Sequence, residues 1–247
     1  MKSRQIGFVF RWKRWEDELK SNFTNYPPFI DRNENQLYEQ LFEGLGGRIP
    51  IAERRGINAL LGPLRLKGPV YNFHWRHSVR VAFLTVEIAK TLNLDPKPAL
   101  YAGLLHDCGK AQVPAPLLGK TENWTVEDSL AIQIHVTDGY RLVAGWFDFS
   151  AAILLWHHRF QKNPYPEPMP PALHRYSEGT LATIEEYGRV LALADSYDAL
   201  HRVNNTGRGV TRRTGEEIRG LMEAQNQDQL ALVRALYGHG VFTTETE

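Results

Sequence analysis

The sequence predicts an all-α fold on three observations: apolar residues recur at helical spacing, no strand alternation or Asn-Gly hairpin signal stands out, and Gly or Pro follows the periodic stretches. No internal repeat or low-complexity tract interrupts it. Residues 1–70 read as an N-terminal extension, helical but irregular, with Phe8, Phe10, Trp12 and Trp15 among charges, a Pro27-Pro28 break, and Gly46-Gly47 ahead of Pro50. Residues 71–247 read as the main domain, a helical bundle.

Within that domain Val79, Ala82, Phe83, Val86 and Ala89 place one apolar face on a helix from about His74 to Leu94, with Pro96 marking the break beyond it. A second helix opens near Pro98, carries Ala99, Ala102 and Leu105, and ends by Gly109. Thr125 followed by Asp128 has the pattern of a capping box opening a helix through Leu130, Ile134 and Tyr140 to about Gly145. A fourth helix runs from about Phe149 to His158 and is stopped by the proline-rich stretch Pro164 to Pro171. Helices over 180–202, 214–224 and 227–237 complete the chain.

Composition narrows the classes of function. Hydrophobic residues at 43% and charged residues at 23% fit a globular protein. Twenty-nine basic against 28 acidic side chains leave a net charge of +1, so no overall field points to nucleic acid or anionic lipid as a partner. The local basic stretches, Lys2 to Arg14 and Arg202 to Arg219, are interspersed with other residues and read as solvated faces. A lone cysteine, Cys108, excludes an intramolecular disulfide and fits a reducing compartment. No apolar run of about 18 residues and no leader-like segment is present, so a cytoplasmic protein without a membrane span is expected.

The chemistry concentrates at the ends of apolar runs. Ala102-Gly103-Leu104-Leu105 closes on His106-Asp107, Ala151 to Trp156 closes on His157-His158, and Val190 to Ala194 closes on Asp195. His77 and His135 sit inside helical stretches. A single buried histidine is most often a hydrogen-bonded core residue. An ionised carboxylate at the end of an apolar run, however, needs a partner or a metal. Seven imidazole and carboxylate groups exceed what one four-coordinate ion requires, and two adjacent divalent cations account for them.

The order His77, His106-Asp107, His135, His157-His158, Asp195 resembles the HD superfamily of metal-dependent phosphohydrolases, in particular its HD-GYP branch. The resemblance covers about residues 71–238 and rests on His-Ser-Val-Arg-Val at His77, His106-Asp107-Cys108-Gly109-Lys110, His135 followed by Gly139, His157-His158, and Asp-Ser-Tyr-Asp-Ala-Leu at Asp195. It implies an HD-domain bundle in which His77, His106, Asp107 and Asp195 hold one metal ion, His135, His157 and His158 hold the other, and Asp107 bridges them. It further implies a metal-bridging hydroxide as nucleophile, Asp107 and Lys110 as catalytic residues, and Lys110 facing substrate phosphate. Iron or manganese is the first expectation for the two ions, with zinc, nickel, cobalt and magnesium also compatible.

Two departures from the family pattern matter. The loop after the paired histidines reads Arg159-Phe160-Gln161-Lys162-Asn163-Pro164-Tyr165-Pro166, with proline where the Gly-Tyr-Pro signature has glycine, so its backbone path is expected to differ. The position four before His77, where some members carry a glutamate for a third metal, is Phe73, while His74 shares the helical face of His77. Two ions are therefore expected, not three. The substrate class implied is a small nucleotide, a cyclic dinucleotide such as cyclic di-GMP. An HD-type hydrolase of another nucleotide or phosphomonoester, and a catalytically silent metal-binding signalling module, stand beside it. Residues 1–70 are left as the segment available to a protein partner.

Overall fold

Helix α1 (Arg32–Gly44) and helix α2 (Ile51–Leu66) precede and pack on the long helix α3 (Pro69–Thr91). Helix α4 (Pro96–Leu105), a 3₁₀ segment (Cys108–Gln112), the short α5 (Ala115–Leu118), α6 (Val126–Val143) and α7 (Asp148–Leu154) follow, and then the long α8 (Glu178–His201). Helices α9 (Gly215–Gln225) and α10 (Leu230–Gly238) end the order. The computed structural model describes residues 32–45, 48–120, 122–201, 204–205, 210–211 and 213–244. The stretch Lys2 to Arg14, Pro27-Pro28, Gly46-Gly47 and part of the Arg202 to Arg219 segment lie outside the described residues. Among the described residues, no helix is long and apolar enough to cross a membrane.

The all-α expectation is borne out, with one small addition: Asn204 pairs with Thr211 and Asn205 with Val210 in an antiparallel ladder, β1 (Asn204–Asn205) with β2 (Val210–Thr211). Strands of two residues are too short to show a period-two pattern, which is why the sequence does not announce them. Helix starts follow local chemistry. Thr125 Oγ1 accepts from the Asp128 amide at 3.1 Å and Asp128 Oδ2 accepts from the Thr125 amide at 2.9 Å, the reciprocal box expected at the start of α6. Thr214 and Glu217 repeat the device at α9. Asp95 caps α4 by accepting from the Lys97 amide, and Pro96 fits the first turn, where no amide donor is required.

Three helix limits differ from the sequence expectation. Helix α3 begins at Pro69 instead of near His74, because Gly68, with φ of 137°, makes the turn and a proline can open a helix. Helix α4 stops at Leu105, so Asp107 and Gly109 fall in a turn and the 3₁₀ segment beyond it. Helix α7 stops at Leu154. The Trp156 amide donates to Ile153 O at 3.0 Å, a tightened three-residue turn that carries His157 and His158 out of the helix and toward the centre of the molecule.

Helix α3 is buried on nearly every side, including Val79, Val81, Ala82, Leu84, Val86 and Ile88, as befits a helix packed by neighbours all round. Tyr38, Leu41, Phe42 and Leu45 of the first described segment share its hydrophobic core with Ile57, Leu61 and Leu64 of α2. Helix α4 lies very close to α3, since a Cβ on Gly103 would stand 2.4 Å from the Ala82 Cα. This approach brings the end of α4 level with His77. Helix α8, with Val190, Leu191, Leu193, Ala194 and Tyr197 buried, also packs against α3 and delivers Asp195 beside His77.

Candidate metal centre

All seven residues singled out from the sequence converge on one buried region. Candidate ligand atoms of His77, His106 and Asp107 lie within 4.8 Å of one another, as do those of His135, His157 and His158. Asp195 joins the first group, its Oδ1 standing 3.1 Å from His77 Nε2 and 3.9 Å from His106 Nε2. Asp107 stands between the groups. Its Oδ2 is 3.5 Å from His77 Nε2 and 3.4 Å from His106 Nε2, while its Oδ1 is 3.2 Å from His135 Nε2.

The far side of each ring sets which nitrogen faces inward. His106 Nδ1 is 2.9 Å from Gly103 O, His135 Nδ1 is 2.6 Å from Ile132 O, and His157 Nδ1 is 2.5 Å from Leu154 O. A carbonyl only accepts, so each Nδ1 carries the proton and each Nε2 of a neutral ring presents a lone pair. His77 has a carboxylate in the same role, Asp198 Oδ2 at 2.7 Å. With both Nδ1 atoms committed as donors, the Nε2 atoms of His77 and His106 face each other at 3.2 Å. Two lone pairs at that distance call for a cation or a proton between them.

Burial reinforces the point. Asp107 Oδ1, His135 Nε2 and His157 Nε2 are buried without a hydrogen-bond partner, which is costly for groups of this polarity unless something binds them. The donor set, neutral imidazoles and carboxylates, suits divalent transition metals, and hydrogen-bonded outer groups of this kind orient metal-binding histidines. The residues therefore fit a metal centre.

Protonation follows from the same setting. Burial pushes the Asp107 carboxyl up, but Lys110 and His106 outweigh it and hold Asp107 well below the usual carboxylate range. Asp195 is likewise held well below that range: burial opposes ionisation, and His77 and His106 outweigh it. His106 is raised, because Asp107 and Asp195 overcome burial. Burial and the neighbouring His106 and His135 push His157 down to about 3, and burial beside His157 takes His158 well below 6.5.

These directions predict how the metal-free protein responds to acid. Between pH 6.5 and about 3 the unfolded chain protonates the residue at 157 while the folded one does not, so stability falls as pH falls, and His158 acts in the same sense. His106 contributes oppositely, and its contribution is lost only as pH rises through its raised value. Chelator-treated protein should lose on the order of 2 kcal/mol through His157 between pH 6.5 and 5, with His158 adding in the same direction. Urea unfolding at the two pH values measures it. An equal or higher midpoint at pH 5 would contradict the neutral, buried state of both rings.

Lys110 is placed beside the centre, with Nζ 2.6 Å from Asp107 Oδ2. His74 Nδ1 lies 3.9 Å from the same oxygen. In the loop after the paired histidines, Tyr165 stacks on His158 with centroids 4.4 Å apart and meets His135 edge-on at 6.3 Å. The loop is tied back by Arg159, which donates to Pro166 O at 2.9 Å and to Glu167 at 2.6 Å. Gln161 places its side-chain amide 2.6 Å from His158 Nδ1.

Sequence reasoning assigned no role to Asp198 or Arg80, which hold His77 from behind: Arg80 Nε donates to Asp198 Oδ1 at 2.7 Å and Nη2 to Oδ2 at 3.1 Å. A spacing signal was present. Asp198 follows Asp195 by three and Arg80 follows His77 by three, so each shares the helical face of a predicted ligand.

The HD domain family model matches residues 75–200, and the chain belongs to this family. It is 33% identical over 150 residues to a cyclic di-GMP phosphodiesterase of Pseudomonas aeruginosa, covering 58% of this chain and 34% of that protein. It is 30% identical over 173 residues to a 3'3'-cGAMP-specific phosphodiesterase of Vibrio cholerae, covering 64% of this chain and 38% of the relative. The chain thus spans about a third of the length of the curated relatives it matches. The HD domain of the Listeria monocytogenes phosphodiesterase PgpH aligns with a TM-score of 0.48 at 16% identity, over 73% of this chain and 98% of that one.

Proposed function

We propose that the chain is a metal-dependent phosphodiesterase that opens a cyclic dinucleotide of the cyclic di-GMP kind, with residues 71–247 as the catalytic domain and residues 1–70 as an N-terminal extension whose helices α1 and α2 share its core. The observation that carries this reading is Asp107, whose two oxygens face two separate groups of inward-pointing ligand atoms. In this reading His77, His106, Asp107 and Asp195 hold one divalent cation and His135, His157 and His158 the other. The pair of cations would supply a water-derived nucleophile at neutral pH and positive charge against the phosphodiester.

The chain's own groups do the rest. The carbonyls behind His106, His135 and His157 keep the imidazoles in one tautomer and orientation. Burial keeps His157 and His158 unprotonated, so no proton need leave them for a cation to bind. Lys110, the ammonium beside Asp107, offers a point charge to a non-bridging phosphate oxygen. Tyr165 bounds the His135–His158 side with its ring.

The names of the relatives support the cyclic dinucleotide. A second reading, hydrolysis of another nucleotide or phosphomonoester, is favoured by the Pro164-Tyr165-Pro166 loop, which replaces the family signature. Product analysis separates them. Protein loaded with Mn²⁺ or Fe²⁺ is expected to convert cyclic di-GMP or cyclic GMP-AMP to a linear dinucleotide or mononucleotides. Intact cyclic dinucleotides together with inorganic phosphate released from a mononucleotide would establish the second reading, and no turnover of either class would leave a metal-binding module.

A further inference from the structure

We propose that Glu34, contributed by α1 and lying outside the family-matched region, is a positioning residue for the metal-binding nitrogen of His77, acting through Arg80 and Asp198. The inference rests on the reading of His77 as a metal ligand. The path is continuous and buried. Glu34 Oε1 accepts from Arg80 Nη1 at 3.2 Å, the Arg80 fork holds both oxygens of Asp198 at 2.7 and 3.1 Å, and Asp198 Oδ2 accepts from His77 Nδ1 at 2.7 Å. Exposure along it is 1% at Glu34, 3% at Arg80, 2% at Asp198 and 0% at His77, so water cannot replace a missing partner.

Charge explains why Glu34 matters at a distance. Arg76 Nε also stands 3.1 Å from Glu34 Oε1, and Arg76 and Arg80 are one helical turn apart on α3. Glu34 thus faces both guanidinium groups, and Arg80 is shared between Glu34 and Asp198. Without the Glu34 charge, the Arg80 guanidinium is shared less and draws the electron density of the Asp198 carboxylate away from His77. Asp198 then accepts less strongly from Nδ1–H, and Nε2 becomes a poorer donor to a metal. The guanidinium also loses the contact that holds it from behind, which loosens the plane of Asp198 and the ring it aligns. Buried ion networks contribute little net stability over well-packed apolar groups, so the consequence to look for is orientation.

The test is titration of the chelator-treated full chain with Co²⁺, followed by calorimetry and by the visible ligand-field bands. E34Q is expected to weaken Co²⁺ binding about tenfold and to alter the band envelope, as loss of an outer partner of a metal-binding histidine does. D198N should lose at least as much. R76Q, which removes a neighbour of Glu34 without touching Asp198, should stay within about twofold of wild type and thereby separates positioning from general loosening of α1. If E34Q does not fold, E34D serves, since its carboxylate falls one methylene short of Arg80 and a several-fold loss is expected. Wild-type Co²⁺ affinity in folded E34Q, or in folded E34D where that replaces it, overturns the proposal, as does an equal loss in R76Q. Retention of Co²⁺ in H77A and in D107N would instead remove the metal-centre reading itself.

Discussion

Replacing Asp107 with Asn is expected to abolish tight metal uptake and, with it, phosphodiester hydrolysis. The substitution keeps the side chain's size and removes its charge at the one point where both ligand groups meet. Asp107 Oδ2 stands 3.4 to 3.5 Å from the His77 and His106 Nε2 atoms, Oδ1 stands 3.2 Å from His135 Nε2, and Lys110 Nζ stands 2.6 Å from Oδ2. With a neutral amide there, the Lys110 ammonium is left without the carboxylate that balances it, which repels divalent cations instead of attracting them. Bound Mn²⁺ measured by mass spectrometry should fall close to zero, and turnover of a cyclic dinucleotide should drop on the order of 10³-fold or more. Asp195→Asn, which touches only the His77 side, should reduce stoichiometry without emptying the centre. Activity that persisted in metal-free D107N would defeat the mechanism.

The candidate ligands were legible in the sequence because each carries its chemistry in its type. An imidazole or carboxylate closing an apolar run must be satisfied by something, and that holds at His106-Asp107, His157-His158 and Asp195 whatever the packing. The start of α6 was legible for the same local reason, since a capping box is complete within four residues. Arg80 and Asp198 were legible only as sharing a helical face with His77 and Asp195, and Glu34 not at all. Their pairing spans 46 and 118 positions and depends on how α1 and α8 cross α3, which periodicity does not encode. The same limit applies to Tyr38, Leu41, Phe42 and Leu45. They lie in a stretch mixing charges and aromatics, and their membership of the common core follows from docking against α2 and α3. The stops of α4 and α7 also escaped prediction, because no Gly or Pro separates Leu105 from His106-Asp107 or Leu154 from His157-His158.

Gly109→Ala should be strongly damaging although it removes no candidate ligand. A Cβ at Gly109 would stand 1.9 Å from His135 O and 2.5 Å from the Gly139 amide nitrogen. Both are backbone atoms of α6, so no side chain can swing aside and the helix itself has to retreat. Retreat of α6 carries His135 away from Asp107, and the 3.2 Å separation between His135 Nε2 and Asp107 Oδ1 cannot survive it. The variant is expected to lose about 3 kcal/mol or more in urea unfolding, at the upper end for overpacked interiors. It should also bind metal with the His135 side impaired. Gly139, on the opposite side of the same contact, supplies the contrast. A Cβ there would meet the Gly109 nitrogen at 3.4 Å and Cys108 Sγ at 3.6 Å, ordinary contact distances, and alanine favours a helix interior by about 0.5–1 kcal/mol. Gly139→Ala should therefore leave stability nearly unchanged or slightly raised. Equal unfolding midpoints for the two variants would mean that α6 does not approach the 3₁₀ segment this closely, and that something other than this contact sets the spacing between the two ligand groups.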